Sequence, residues 1–87
     1  MPPLYVIHQN AKLRIRNRRL VVEHDGESLS STPLAHISQV ILFGNVGLTT
    51  PAIDTFLAKG IDVVFLTQRG SYRGRLVGEM TPHVPLR

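Results

Sequence analysis

Six carboxylates, Glu23, Asp25, Glu27, Asp54, Asp62 and Glu79, are the groups in this 87-residue sequence suited to general acid and base chemistry. That chemistry needs two carboxyls at a set separation, in environments that push their pKa values apart. Here they are scattered over strand, turn and helix contexts with no short repeat, and solvated charge is the ordinary reading. The four histidines, His8, His24, His36 and His83, never recur at the short spacings that put two imidazoles on one metal. The absence of cysteine excludes thiol nucleophiles, disulfide frameworks and cysteine-ligated zinc or iron–sulfur sites. No catalytic and no metal-ligating residue is assigned within the chain.

Gly44-Asn45-Val46-Gly47 stands between a strand and a helix, where backbone N–H groups hold phosphate in other proteins. It completes neither the dinucleotide fingerprint nor the P-loop, since Val46 takes a glycine's place and no lysine follows, so a plain tight connection is expected. The arginines are more informative. Arg14, Arg16, Arg18 and Arg19 fall in one short stretch of a chain with net charge +4, and cations on alternate residues of a strand can track a phosphate backbone. The plain alternative is a solvated face that discourages edge-to-edge aggregation. Arg69, Arg73 and Arg75 surround the final turn and extend the same surface if the register allows. Tyr5 and Tyr72 are too few for a base-stacking platform and are expected as partly buried strand residues.

These side chains have to be positioned by one small domain, since 87 residues with 43% apolar and 18% charged residues suit a single marginal core. The segment Leu4 to His8 reads as a first strand. KLRIR follows in strict alternation, with Leu13 and Ile15 on one face and Lys12, Arg14 and Arg16 on the other. Asn17-Arg18 separates it from RLVVEH by two residues, which predicts a tight hairpin. DGESLSSTP reads as a polar loop.

Gln39 to Gly44 is a nearly continuous apolar run of the kind covered on both faces. NVGLT then leads to a helix with Thr50 as cap, Pro51 in the first helical position, an apolar stripe of Ile53, Phe56 and Leu57, and a stop at Lys59-Gly60. Ile61 to Thr67 follows as a second buried-type strand, so strand, helix and strand form a right-handed crossover with the two strands parallel. SYRGRLVG pairs back antiparallel, and TPHVPLR reads as a linker. The expected fold class is α+β and β-rich: N-terminal antiparallel hairpin strands packed with a small mixed sheet that contains one strand-helix-strand crossover. No signal-peptide pattern or membrane-length apolar run occurs, so a cytoplasmic protein with no membrane association is expected.

The series VILFGN at 40–45, KGIDVVFL at 59–66 and GSYRGRLVG at 70–78, behind LYVIHQNAKLRIRNRRLVVEHDGE, resembles the start of a known family. That family is the CRISPR-associated spacer-acquisition integrase, the adaptation nuclease that captures foreign DNA as new spacers in antiviral defence. The resemblance implies that residues 1–79 are its N-terminal β-rich dimerisation domain. It implies that 80–87 begin the linker to a helical domain whose Glu, His and Asp residues bind a divalent metal, Mg or Mn, for DNA cleavage and strand transfer. None of those ligand positions is present here.

What the resemblance implies for this piece is dimerisation and DNA positioning, within an assembly in which two homodimers flank a small ferredoxin-like partner and carry double-stranded DNA. No nuclease activity is expected of residues 1–87 alone. The DNA-backbone candidates are Arg14, Arg16, Arg18, Arg19 and Arg75. Two other readings stay open from the residues: a free-standing basic nucleic-acid-binding β module, and a purely structural dimerisation module.

Overall fold

The computed structural model describes residues 2–78. The anticipated linker, 80–87, with His83 and Glu79, lies outside them. Eight strands and one helix run in the order β1 (Leu4–Val6), β2 (Ala11–Arg16), β3 (Arg19–His24), β4 (Glu27–Pro33), a single 3-10 turn (Leu34–His36), β5 (Gln39–Phe43), β6 (Val46–Leu48), α1 (Thr50–Lys59), β7 (Asp62–Leu66) and β8 (Tyr72–Leu76).

Two four-stranded sheets result, one ordered β1-β5-β7-β8 and the other β4-β3-β2-β6. The second is built around the anticipated hairpin: β2 and β3 pair antiparallel with Arg16 opposite Arg19, leaving Asn17 and Arg18 as a two-residue turn. Both turn residues have positive φ, 52° and 62°, as the turn that matches strand twist demands. Asn tolerates that conformation, whereas Arg18 occupies a position that glycine usually fills.

The stretch expected as a loop after His24 is instead β4. Asp25-Gly26 makes a second two-residue turn with positive φ, and Glu27 to Pro33 pair antiparallel with β3. ESLSSTP has no apolar face to signal a strand; its ladder to β3 and its position at the sheet edge, where polar side chains stay wet, replace that signal. A bulge at Val22/Glu23 leaves Leu29 without a partner between Ser28 and Ser30. Val46–Leu48, expected as connection, adds to β2 in parallel register, with Ala11 opposite Val46.

The first sheet holds the crossover. β5 and β7 are parallel, with Val40 opposite Val63, and β8 returns antiparallel to β7. β1 is shorter than expected, ending at Val6, and lies parallel to β5. The helix cap is Thr49 rather than Thr50: its Oγ1 accepts from the Ala52 N–H at 3.2 Å, which places Pro51 second in the helix, where its missing N–H is still harmless. Gly60 ends α1 in the left-handed conformation, as expected.

One core joins both sheets and α1. Leu13, Leu20 and Val22 from the hairpin meet Val40, Leu42 and Val63 from the first sheet, with Phe56 of α1 fully buried. The helix seats Ala52 and Phe56 inward, while Ile53 and Leu57 are half-buried, so the stripe is rotated from the anticipated one. The parallel strands are covered on one face only. Val40 and Leu42 are buried but Gln39, Ile41 and Phe43 are half-exposed, because no element among the described residues packs on that side. Among the described residues no helix is long and apolar enough to cross a membrane.

Candidate nucleic-acid interface

The alternation of β2 determines the geometry of the basic surface. Leu13 and Ile15 point to the core, opposite Val22 and Leu20, so Lys12, Arg14 and Arg16 project from the other face at steps of about 7 Å. Cross-strand from them on β3 are Glu23, Val21 and Arg19. Val21 is buried although it lies on this outer face, directly opposite Arg14. Arginine stems cover apolar surface in this way while their heads reach water.

The cations on this face are not equivalent. Arg14 Nε lies 3.3 Å from Glu23 Oε1, is shut off from solvent and makes no hydrogen bond there, so an internal carboxylate already offsets its charge. Arg19 reaches across to β4, donating from Nε to Ser31 Oγ at 2.7 Å and from Nη2 to the Ser31 carbonyl at 3.2 Å. That bond leaves its charge unneutralised and holds its stem in place. Lys12 and Arg16 are exposed and have no ion-pair partner among the described residues. Arg18 stands apart at the hairpin tip, exposed, its carbonyl accepting from the Leu34 N–H at 3.0 Å.

Arg75 is not brought to this surface. It lies opposite Val64 on the outer face of the other sheet, and its Nη2 contacts Asp62 Oδ2 at 3.1 Å. The expected continuation of the hairpin's surface through Arg75 therefore fails in register, since the two outer faces lie on opposite sides of the shared core. That second face carries a cross-strand row of Tyr5, Ile41, Val64 and Arg75. Tyr5 and Tyr72 are 59% and 62% exposed rather than partly buried, and Tyr5 sits 6.4 Å from the Phe43 ring.

The Gly44-Asn45 turn has its own use for its amides. Gly44 N–H donates to the Leu66 carbonyl, and Asn45 N–H to Gln9 Oε1 at 2.8 Å. Gln9 Nε2 donates to the Ile7 and Phe43 carbonyls, and Asn45 Nδ2 to Asn10 Oδ1. This clasp ties the β1–β2 loop to the β5–β6 loop, and those donors are not left for phosphate. His8 and His24, far apart in sequence, stack edge to face at 4.7 Å, with Asp25 3.6 Å from His24. No spacing rule could have found that pair, because it joins the β1–β2 loop to the end of β3. Among the described residues no three His, Asp or Glu side chains converge to hold a metal, so they do not fit the divalent ion that the resemblance implies.

Residues 4–87 match the family model described as CRISPR associated protein Cas1. A curated relative named CRISPR-associated endonuclease Cas1 1, from Thermus thermophilus, is 35% identical over 80 residues, which is 92% of this chain and 25% of the relative. The fold is similar to a chain of a partial Cas6-RT-Cas1–Cas2 complex, with TM-score 0.81 and 23% identity over 90% of this chain and 24% of that one. It is also similar to TtCas1 in a DNA complex, with TM-score 0.71 and 22% identity over 88% and 26% of the two chains. The chain thus spans about a quarter of the length of these relatives.

Proposed function

The chain belongs to the CRISPR-associated Cas1 family, and we propose that it serves there as the N-terminal domain of a DNA endonuclease and integrase that inserts new spacers, contributing dimerisation and DNA positioning rather than chemistry. The observation that carries the positioning role is the outer face of β2, where Lys12 and Arg16 stand exposed and unneutralised on either side of Arg14, with Arg19 held beside them. Phosphate contacts of this kind orient a duplex without reading its sequence. The relatives support the DNA reading: one bears the name endonuclease, and one neighbour is a DNA complex. Metal-assisted cleavage, with Mg or Mn, belongs in this reading to parts of the parent protein that carry the ligands.

The partners follow from the two outer faces. Double-stranded DNA takes the cationic one. The apolar one, with Tyr5, Ile41, Phe43 and Val64, suits a second copy of the chain in a two-fold contact. A neighbour solved in a partial Cas6-RT-Cas1–Cas2 complex supports a further protein partner, which this reading takes to be the small ferredoxin-like one. With Lys12, Arg16 and Arg19 neutralising about three phosphates, log affinity for a duplex should fall with log salt at a slope of about −2.7. Lys12→Ala with Arg16→Ala should flatten that slope by about two phosphate equivalents and leave preference among duplex sequences unchanged. Arg14→Ala should change it less, since Glu23 already offsets that charge. Fluorescence anisotropy across a salt series measures all three; a double variant with the slope of the parent chain overturns the assignment.

A further inference from the structure

Between the β2–β3 hairpin tip, the turn at Leu34–His36 and the C-terminal end of α1 lies a groove of about 680 Å3. Its floor is apolar, made by Leu34, Ile37 and Ile61, each in the core and each showing one edge to the groove. Its rim is cationic, with Arg18, Arg19 and Lys59, and among the described residues no carboxylate lines it. The Arg18 carbonyl accepts from the Leu34 N–H, so the hairpin tip is anchored to the floor.

Arg18 holds a left-handed backbone conformation, φ 62°, at the turn position where glycine is the residue of least strain. Strained residues persist where the surrounding structure over-determines them and concentrate at binding sites. Here the strain places a guanidinium on the lip of an apolar cleft. A duplex backbone finds phosphate partners on such a rim but nothing for the floor, since it presents no apolar side chain. A peptide satisfies both.

We propose that this groove docks a protein segment carrying acidic side chains around one or two large apolar anchors. The anchors bury against Leu34, Ile37 and Ile61, and the carboxylates face Arg18, Arg19 and Lys59. The site meets the DNA face only at Arg19: Lys12 and Arg16 do not line it, so variants at Lys12 and Arg16 test the DNA reading and variants at Arg18 and Lys59 test this one.

The test uses the 87-residue chain and a fluorescein-labelled peptide, Glu-Glu-Leu-Phe-Asp-Glu, with two controls: serine in place of the apolar pair, and lysine in place of the acids. Saturable binding by the parent peptide, weakened at least tenfold or so in each control, is the expected result. Arg18→Gly with Lys59→Gln should weaken it about fivefold. Arg18→Gly alone should raise the melting temperature, because Asn-Gly suits this turn, so lost binding cannot be ascribed to lost folding. Lys12→Ala with Arg16→Ala should leave peptide affinity unchanged.

The proposal is overturned by equal binding of the serine control, which would mean bare charge attraction, or by no saturable binding at millimolar peptide. Unaltered affinity in the Arg18/Lys59 variant overturns it as well. So does displacement of the peptide by a duplex whose own binding falls with Arg18→Gly, an outcome that assigns the groove to nucleic acid.

Discussion

The two sheets share one core but differ on their outward faces. The β4-β3-β2-β6 sheet turns outward a field of Lys12, Arg14, Arg16, Arg19, Glu23 and serines, with Val21 as its one buried apolar residue. The β1-β5-β7-β8 sheet turns outward Tyr5, Ile41, Phe43 and Val64, half-exposed or exposed, and its one arginine in the row is tied to Asp62. Antiparallel hairpins tolerate a wet face; parallel strands ordinarily have both faces covered. The first face needs no cover, and the second is the one proposed above to meet a second copy of the chain.

The comparison rests on a single shared core, and Phe56→Ala is the strongest way to break it. Phe56 is fully buried where α1 meets both sheets, so its truncation should cost about 3–5 kcal/mol. That is a large part of the about 5–15 kcal/mol of a whole domain. Urea denaturation followed by circular dichroism should show both sheets lost in one weakened transition. Two separate transitions would mean that the sheets are independent units.

A smaller effect separates the outer faces. Ile41→Glu puts a charge in the middle of the apolar row and should weaken self-association about thirtyfold, as a central interface residue does. Sedimentation equilibrium reads this, with a thermal melt to establish that the monomer still folds. Lys12→Ala with Arg16→Ala should leave self-association unchanged. Dimers of undiminished affinity in the Ile41 variant would remove the apolar face from the contact.

The smallest change concerns the clasp that holds the sheets in relation. Gly44 has φ 76°, and a Cβ there would overlap Gln9 Oε1, so Gly44→Ala should cost about 1–3 kcal/mol. In a Gln9→Ala background the clash is gone, and the cost should fall to that of the left-handed backbone, about 1 kcal/mol. Equal costs in both backgrounds, measured by chemical denaturation, would show that the Gln9 side chain does not constrain the turn.

Several elements were legible because their signals are local. The β2–β3 hairpin is written in the alternation of Leu13 and Ile15 with Lys12, Arg14 and Arg16, and the crossover in two apolar runs flanking a capped helix. The edge strand Glu27–Pro33 was not legible from alternation, because its side chains have no apolar face, although Asp25-Gly26 is itself a strong hairpin signal. β6 escaped for a related reason: three residues pair only because β2 offers its free edge in parallel. At the basic surface, the face of Arg14 and Arg16 followed from period two, but their differing availability did not, since Glu23 is supplied by the next strand.

By itself the sequence determined which side chains share a strand face, where the helix ends, that one small core is formed, and that cysteine chemistry is absent. These are consequences of periodicities of 2 and 3.6 and of residue types, which act over a few positions. Only the tertiary structure decided that Arg75 belongs to a different surface from the hairpin, that the outer face of β5 and β7 has no cover among the described residues, and that Arg18, Lys59 and Ile61 border one groove. Each of these depends on register and on which strands become neighbours, quantities set by the packing of the whole core and carried by no short stretch of the chain.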